Sequence, residues 1–137
     1  MARGEYAHNI DSKGRLFIPS KFREELGSSF IITKGVNQCL AVYSEREWDL
    51  FERKINELPT KTARPLQLYF IAASQDLEID AQGRVLIPQK LREFAGLKKQ
   101  VVVAGMLDHV EVWDADKWDE ATNSGQSILD VMEEAGI

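Results

Sequence analysis

Residues 11–26, DSKGRLFIPSKFREEL, and residues 80–95, DAQGRVLIPQKLREFA, are two versions of one string, identical at eight of sixteen positions when offset by 69. Asp11, Gly14, Arg15, Ile18, Pro19, Lys21, Arg23 and Glu24 recur as Asp80, Gly83, Arg84, Ile87, Pro88, Lys90, Arg92 and Glu93. Such a duplication restricts the fold more than any local propensity does. What one copy forms the other must form too, and in a chain of 137 residues neither copy alone is large enough to bury a sufficient core. The expectation is two similar units around one shared core.

Each unit reads as four parts. An apolar strand enters the Asp-x-x-Gly-Arg turn, a second strand leaves it through Ile-Pro, a short helix follows, and a hairpin closes the unit. Asp11 and Asp80 can accept backbone N–H groups two or more residues on, while Gly14 and Gly83 supply a left-handed backbone at little steric cost. Pro19 and Pro88 end the strand and suit a first helical turn, and Gly27 and Gly96 end the helix. With an offset of 70 the hairpins superpose as well, which pairs Gly35 with Gly105 near each bend, Tyr43 with Trp113 and Trp48 with Trp118. Ser44 and Glu47 have capping-box spacing, and Tyr43–Trp48 and Trp113–Trp118 sit at hydrophobic-staple positions, so the tryptophans read as core anchors. Pro59 breaks the helix after the first hairpin and Pro65 opens a further run, LQLYFIAA. The expected organisation is a first repeat with its following helix over 1–59, a linker helix over 60–78, and a second repeat with a C-terminal helix over 79–137. The end of the chain, with Ile128, Leu129 and Met132 at partial helical spacing, reads as a short docked or frayed helix.

The net charge of −5 misleads until it is mapped. Residues 1–43 carry +2 and residues 79–113 carry +1, whereas residues 44–78 carry −2 and residues 114–137 carry −6. The repeats are mildly basic and the acidity sits between and after them, so local fields rather than the overall charge decide which face meets a polyanion. No run approaches the length of a membrane helix and the start lacks a signal-like apolar stretch, so a reducing cytoplasm is the expected home. Cys39, the single cysteine, reads as a buried structural thiol. No nucleophile–base set, zinc spacing or phosphate loop appears, and the identities between the copies are Asp, Gly, Arg, Ile, Pro, Lys and Glu, with no nucleophile among them. The chain is therefore expected to be no enzyme and to use no cofactor, metal or small-molecule substrate.

Two readings apply to Arg15 and Arg84. Each can pair with its own Asp11 or Asp80 and lock the turn, or it can aim a guanidinium at phosphate or a guanine edge. Lys13 has Gln82 as its counterpart, so the first turn carries the extra charge. Lys21, Arg23, Lys90 and Arg92 read first as solvated helix faces and second as binding residues, with Arg23 partly neutralised by Glu24 and Glu25.

The Asp-x-x-Gly-Arg-x-x-Ile-Pro-x-x-Leu/Phe-Arg string resembles the SpoVT/AbrB-type swapped-hairpin DNA-binding domain. Two copies behind an opening Arg3-Gly4-Glu5-Tyr6 resemble the two-domain bacterial transcriptional regulators of that class, over essentially the whole chain. The resemblance implies a mainly-β, α+β fold: a double-split β-barrel of two pseudo-twofold-related swapped-hairpin repeats with flanking helices. It further implies a ring-like homo-oligomer that binds double-stranded DNA at the nucleoid and represses both its own gene and the division and cell-wall gene cluster. The signature falls on Asp11 and Arg15 and on Asp80 and Arg84, and the arginine after Ile-Pro falls on Arg23 and Arg92. The candidate DNA-binding residues are Arg15, Lys13, Arg84, Arg3, Lys21 and Arg23, with Asp11, Gly14, Asp80 and Gly83 shaping the turns. The rival readings are an antitoxin-like protein-binding module and a structural ring without DNA activity.

Overall fold

The computed structural model describes residues 1–137 and divides each copy of the string into the same pieces. In chain order the elements are β1 (Ala2–Asn9), β2 (Arg15–Phe17), α1 (Ser20–Leu26), β3 (Ser29–Lys34), β4 (Leu40–Ser44), α2 (Glu45–Asn56) and α3 (Thr60–Leu66). There follow a π-helical turn (Gln67–Ile71), β5 (Gln75–Glu78), β6 (Arg84–Leu86), α4 (Gln89–Ala95), β7 (Gln100–Leu107), β8 (Val110–Asp114), α5 (Ala115–Thr122) and α6 (Ile128–Ala135). The fold is mainly β with flanking helices. Six antiparallel strands form one sheet in the order β1-β7-β8-β4-β3-β5, and β2 pairs with β6 in a separate two-stranded ribbon.

Exchanging the two copies turns that strand order into its own reverse. The exchange axis passes where Ala41 of β4 faces Glu111 of β8. Each copy's entering strand is added to the other copy's hairpin: β1 pairs with β7 from Ala2↔Leu107 to Asn9↔Gln100, and β5 pairs with β3 from Ser29↔Glu78 to Ile32↔Gln75. The core follows the same rule. Leu16, Ile18, Phe22 and Ile32 from the first copy pack in one cluster with Val85, Ile87, Leu91 and Val103 from the second, all at most 3 % exposed. The ladders leave β1 and β5 as sheet edges, so they describe an open sheet plus a ribbon rather than one closed barrel.

The hairpin offset of 70 holds for β4 and β8 but not for β3 and β7. Lys34 faces Leu40 and Gly105 faces Val110, so Lys34 and Gly105 are the equivalent residues, and the second hairpin loop is one residue shorter. Gly35 and Gly105 therefore only coincide in sequence. A Cβ on Gly35 would stand 2.5 Å from Cys39 Sγ, whereas one on Gly105 would collide with the backbone of Ala2 and Arg3 on β1. The bends themselves use left-handed Asn37 and Gln38 in the first loop and Leu107 in the second.

A second correction concerns Pro65, which does not open its helix. α3 begins at Thr60 with Pro59 as its cap, repeating the use of Pro19 and Pro88 before α1 and α4. Pro65 lies inside α3 and brings no N–H to the helical ladder, and the wider π turn follows directly. Tyr43 and Trp48 close the staple with ring centroids 5.6 Å apart, as do Trp113 and Trp118. Ser44 Oγ accepts the Glu47 N–H at 3.2 Å, but buried Asp114 accepts the Lys98 N–H at 3.1 Å and caps nothing. Cys39 is buried, and burial pushes its thiol up to about 12. Helix α6 forms but buries no residue, with Ile128 and Leu129 about 70 % exposed. No helix is long and apolar enough to cross a membrane.

Candidate nucleic-acid interface

The duplicated turns have one geometry. Asp11 Oδ1 accepts the backbone N–H groups of Lys13 and Arg15, both at 2.9 Å, and its Oδ2 takes the Arg15 Nε–H at 2.7 Å. Asp80 accepts from Gln82 and Arg84 at 2.9 Å and from Arg84 Nε at 3.2 Å. Gly14 and Gly83 sit at φ +85° and +81°, where a side chain would be strained, and their N–H groups close the turns on Asp11 and Asp80 at 3.0 Å. The Arg15 N–H bond, reinforced by the guanidinium, holds the Asp11 carboxyl down at about 2, and Asp80 is lowered for the same reasons. A depressed carboxylate stabilises the fold above its ordinary value of 3.8, and that contribution disappears as pH falls through about 2.

The first reading of Arg15 and Arg84, the locked turn, holds, and its geometry leaves room for the second. Each is pinned to its aspartate through Nε alone, so the two terminal amino groups of each guanidinium have no partner in the chain. The side chains are 34 % and 30 % exposed. A guanidinium fixed in direction with its terminal donors free is suited to a phosphate oxygen or a base edge.

The ribbon brings the two turns together. Leu16 pairs with Val85 and both point into the core, which leaves Arg15, Phe17, Arg84 and Leu86 on the outer face. Ile18 N–H donates to Gly83 O and Ile87 N–H to Gly14 O, each at 2.9 Å, so each copy's outgoing strand is tied to the other's turn glycine. The helix arginines cross over in the same way. Arg92 lies on Gly14, where an added Cβ would be 2.6 Å from its Cζ, and Arg23 lies on Gly83, 2.8 Å from where a Cβ would stand. Arg23 also lies over the Phe17 ring, 5.0 Å from its centroid, while Arg92 Nε donates to Ile87 O at 3.0 Å. These two arginines are half-buried turn neighbours rather than members of a solvated helix face. The signal for this was the bare glycine in each turn, which leaves room for a guanidinium from the other copy.

Lys13 is exposed at the tip of the first turn, and Lys21 is exposed on α1. Arg3 is exposed on β1 opposite Met106, eight residues and roughly 25 Å of extended strand from Asp11. The structure thus gathers Lys13, Arg15, Arg84, Arg23 and Arg92 around the ribbon and leaves Arg3 apart.

One polar cluster lies outside the ribbon. His109 presents Nδ1 to Asp108 Oδ1 at 2.7 Å and Nε2 to Glu111 Oε2 at 2.9 Å, and stacks on Tyr43. Burial works against the charged imidazole, but the bonds to Glu111 and Asp108 outweigh it and raise the pKa above the ordinary 6.5. A raised histidine contributes fully below that ordinary value and loses its contribution as pH rises through the raised one. His109→Gln is accordingly expected to cost about 1–2 kcal/mol near pH 6 and much less near pH 9 in urea unfolding. An equal cost at both pH values would show that the imidazole is neutral throughout.

Two turn–strand–helix–hairpin units that exchange their entering strands define a duplicated swapped-hairpin protein with a paired basic turn surface. The MraZ protein family model matches residues 1–68 and again residues 70–131, once for each copy. Among similar proteins, the transcriptional regulator MraZ of Caldicellulosiruptor bescii is 49 % identical over the full length of both chains. That of Acetivibrio thermocellus is 48 % identical, again over both full lengths, and that of Carboxydothermus hydrogenoformans is 45 % identical over 98 % of this chain and 95 % of its own. The chain belongs to the MraZ family.

Proposed function

We propose that the chain is a sequence-specific DNA-binding transcriptional regulator, and no enzyme. In this reading it acts at the nucleoid as a ring-like homo-oligomer on repeated DNA boxes, repressing its own gene and the division and cell-wall gene cluster. The observation that carries the reading is the pair of guanidinium groups held through Nε, with their terminal donors free, on one outward ribbon. The naming of its relatives as transcriptional regulators supports it. The same reading takes the open sheet and the ribbon as the layers of a double-split barrel, with copies spanning 1–59 and 79–137 and a linker over 60–78.

The mechanism sums weak units. One subunit offers a few phosphate contacts, each worth only about 0.9 in the logarithmic salt slope, too few for tight binding at physiological salt. Copies presenting Lys13 and Arg15 at regular intervals engage several boxes at once, and avidity of roughly 10² to 10⁴ follows where box spacing matches subunit spacing. The test is a binding titration across salt concentrations on duplexes with directly repeated boxes at varied spacing. A linear fall of log affinity with log salt, together with loss of affinity when the boxes are out of phase, is expected. No binding even at low ionic strength overturns the reading. A second reading, an antitoxin-like protein-binding module, draws on α6, whose exposed Ile128, Leu129 and Met132 lie on an acidic helix.

A further inference from the structure

Resting on the proposed DNA-binding function, we infer that the two turn surfaces are not equal, and that the phosphate backbone is gripped by a composite face of the first turn and the α4–β7 loop of the second copy, with Lys13 and Lys99 as its free cations. The exchange symmetry of the fold supplies the comparison. The carbonyl that accepts the Ile10 N–H just before the first turn is that of Lys99, at 2.8 Å, and the carbonyl that accepts the Ile79 N–H before the second turn is that of Ser28, at 3.1 Å. Lys99 and Ser28 are therefore structural equivalents. Lys13 and Gln82 are equivalents as well, since each donates its N–H to the turn aspartate at 2.9 Å.

Three symmetry-related differences change the charge in the same direction. The first turn has Lys13 where the second has Gln82, and beside it stands Lys99 where the second has Ser28. The helix packed over the first turn, α4, has Phe94 at the position where α1, packed over the second, has Glu25. Glu25 reaches the N-terminal amine at 2.6 Å, so its charge is answered locally, and the two lysine differences carry the argument. Lys98 is likewise answered, by Asp116 at 3.1 Å and by Asp114 Oδ2 at 3.4 Å, the latter contact being too oblique for a hydrogen bond. Lys13 and Lys99 have no ion-pair partner, and both are exposed.

The shape agrees with the charge. A cleft of ≈ 1030 Å³ runs between the first turn and α4, lined by Asp11, Ser12, Gln89, Arg92 and Lys99 among others. Its carboxylates, Asp11 and Glu93, are occupied: Asp11 by its own turn and Glu93 by the Gln89 side-chain amide at 3.0 Å. A strand backbone laid along this cleft meets Lys99 on the α4–β7 side, the Arg92 guanidinium that lies on Gly14, and Asp11 and Ser12 of the turn that carries Lys13 and Arg15. On a frame with exchange symmetry, one-sided binding also gives the complex a direction along the duplex. Directly repeated boxes, read in one orientation, suit such a one-sided grip.

The test compares Lys13→Gln combined with Lys99→Ser against Lys54→Gln combined with Lys61→Gln, which removes the same charge from exposed positions on α2 and α3. The probe is a fluorescent duplex covering the region immediately upstream of the chain's own coding sequence, titrated by anisotropy over a range of salt, with thermal melts confirming that both variants fold. The first pair is expected to weaken binding by about tenfold or more and to lower the salt slope by about 1.8 for each engaged subunit, while the second leaves both nearly unchanged. Lys99→Arg, which keeps the charge, should bind as the parent chain does. Equal losses in the two pairs, or no loss in the first, overturn the composite face. Failure of the parent chain itself to bind in a salt-dependent way instead overturns the DNA-binding reading on which the inference rests.

Discussion

Phe22→Ala is expected to lower the unfolding free energy by about 3–5 kcal/mol, the range for truncating a fully buried aromatic ring. Phe22 is 0 % exposed and forms a T-shaped pair with Tyr6, centroids 5.3 Å apart and rings at 87°. Its position raises the cost toward the top of the range. Phe22 lies in a cluster to which both copies contribute, and the strands around it are locked in ladders that each join one copy to the other, so the walls have little freedom to close over the gap. A domain of this size has a total stability of only about 5–15 kcal/mol, and the melting temperature should fall by on the order of 10 °C. Phe17 is the control. At 37 % exposed on the outer face of the ribbon, it should cost about 1 kcal/mol or less on truncation. Comparable losses at the two positions in circular-dichroism melts would contradict the placement of the shared core.

Arg15→Ala is expected to abolish operator binding while the fold and the oligomer persist. The turn does not depend on this side chain. Asp11 Oδ1 still accepts the main-chain N–H groups of residues 13 and 15, Gly14 keeps its bond to Asp11 O, and the lost ion pair is about one-third exposed. Pairs of that exposure contribute about 0–1 kcal/mol. On the proposed ring-like reading the functional loss is larger, because it would be repeated in every subunit and would remove an avidity of roughly 10² to 10⁴. Fluorescence anisotropy beside light scattering separates the two effects. Unchanged DNA affinity would remove Arg15 from the interface, and a collapsed particle would mean that the ion pair holds the turn after all. Asp11→Ala is expected to affect both readouts, since it strips the acceptor from two backbone donors and from Arg15 Nε and should loosen the turn itself.

What could be read from the residues was local chemistry. An aspartate, a glycine and an arginine within five positions specify the turn by hydrogen bonds that close inside it, and the prolines at 19 and 88 mark their helices by the missing N–H. The same signal stood at Pro59, and the apolar run after Pro65 concealed it. What could not be read depends on the other copy. The crossing of Arg23 and Arg92 onto the opposite turns is invisible in either repeat alone, because the glycine that makes room and the arginine that fills it belong to different copies. The hairpin offset was misplaced for a related reason. Two glycines attracted each other in the alignment although one makes room for a thiol and the other for a neighbouring backbone. The interlock of the repeats is not legible in the residues themselves, since the periodicity within a strand does not specify a partner so distant.

The pairing of β1 with β7 joins partners roughly a hundred positions apart, which places this fold among the slowly closing topologies. At ordinary rates of translation, the first strand leaves the ribosome roughly five to twenty seconds before its mate exists. Two chains made side by side on one message can therefore complete each other's sheets, and the time spent waiting is when such an exchange is easiest.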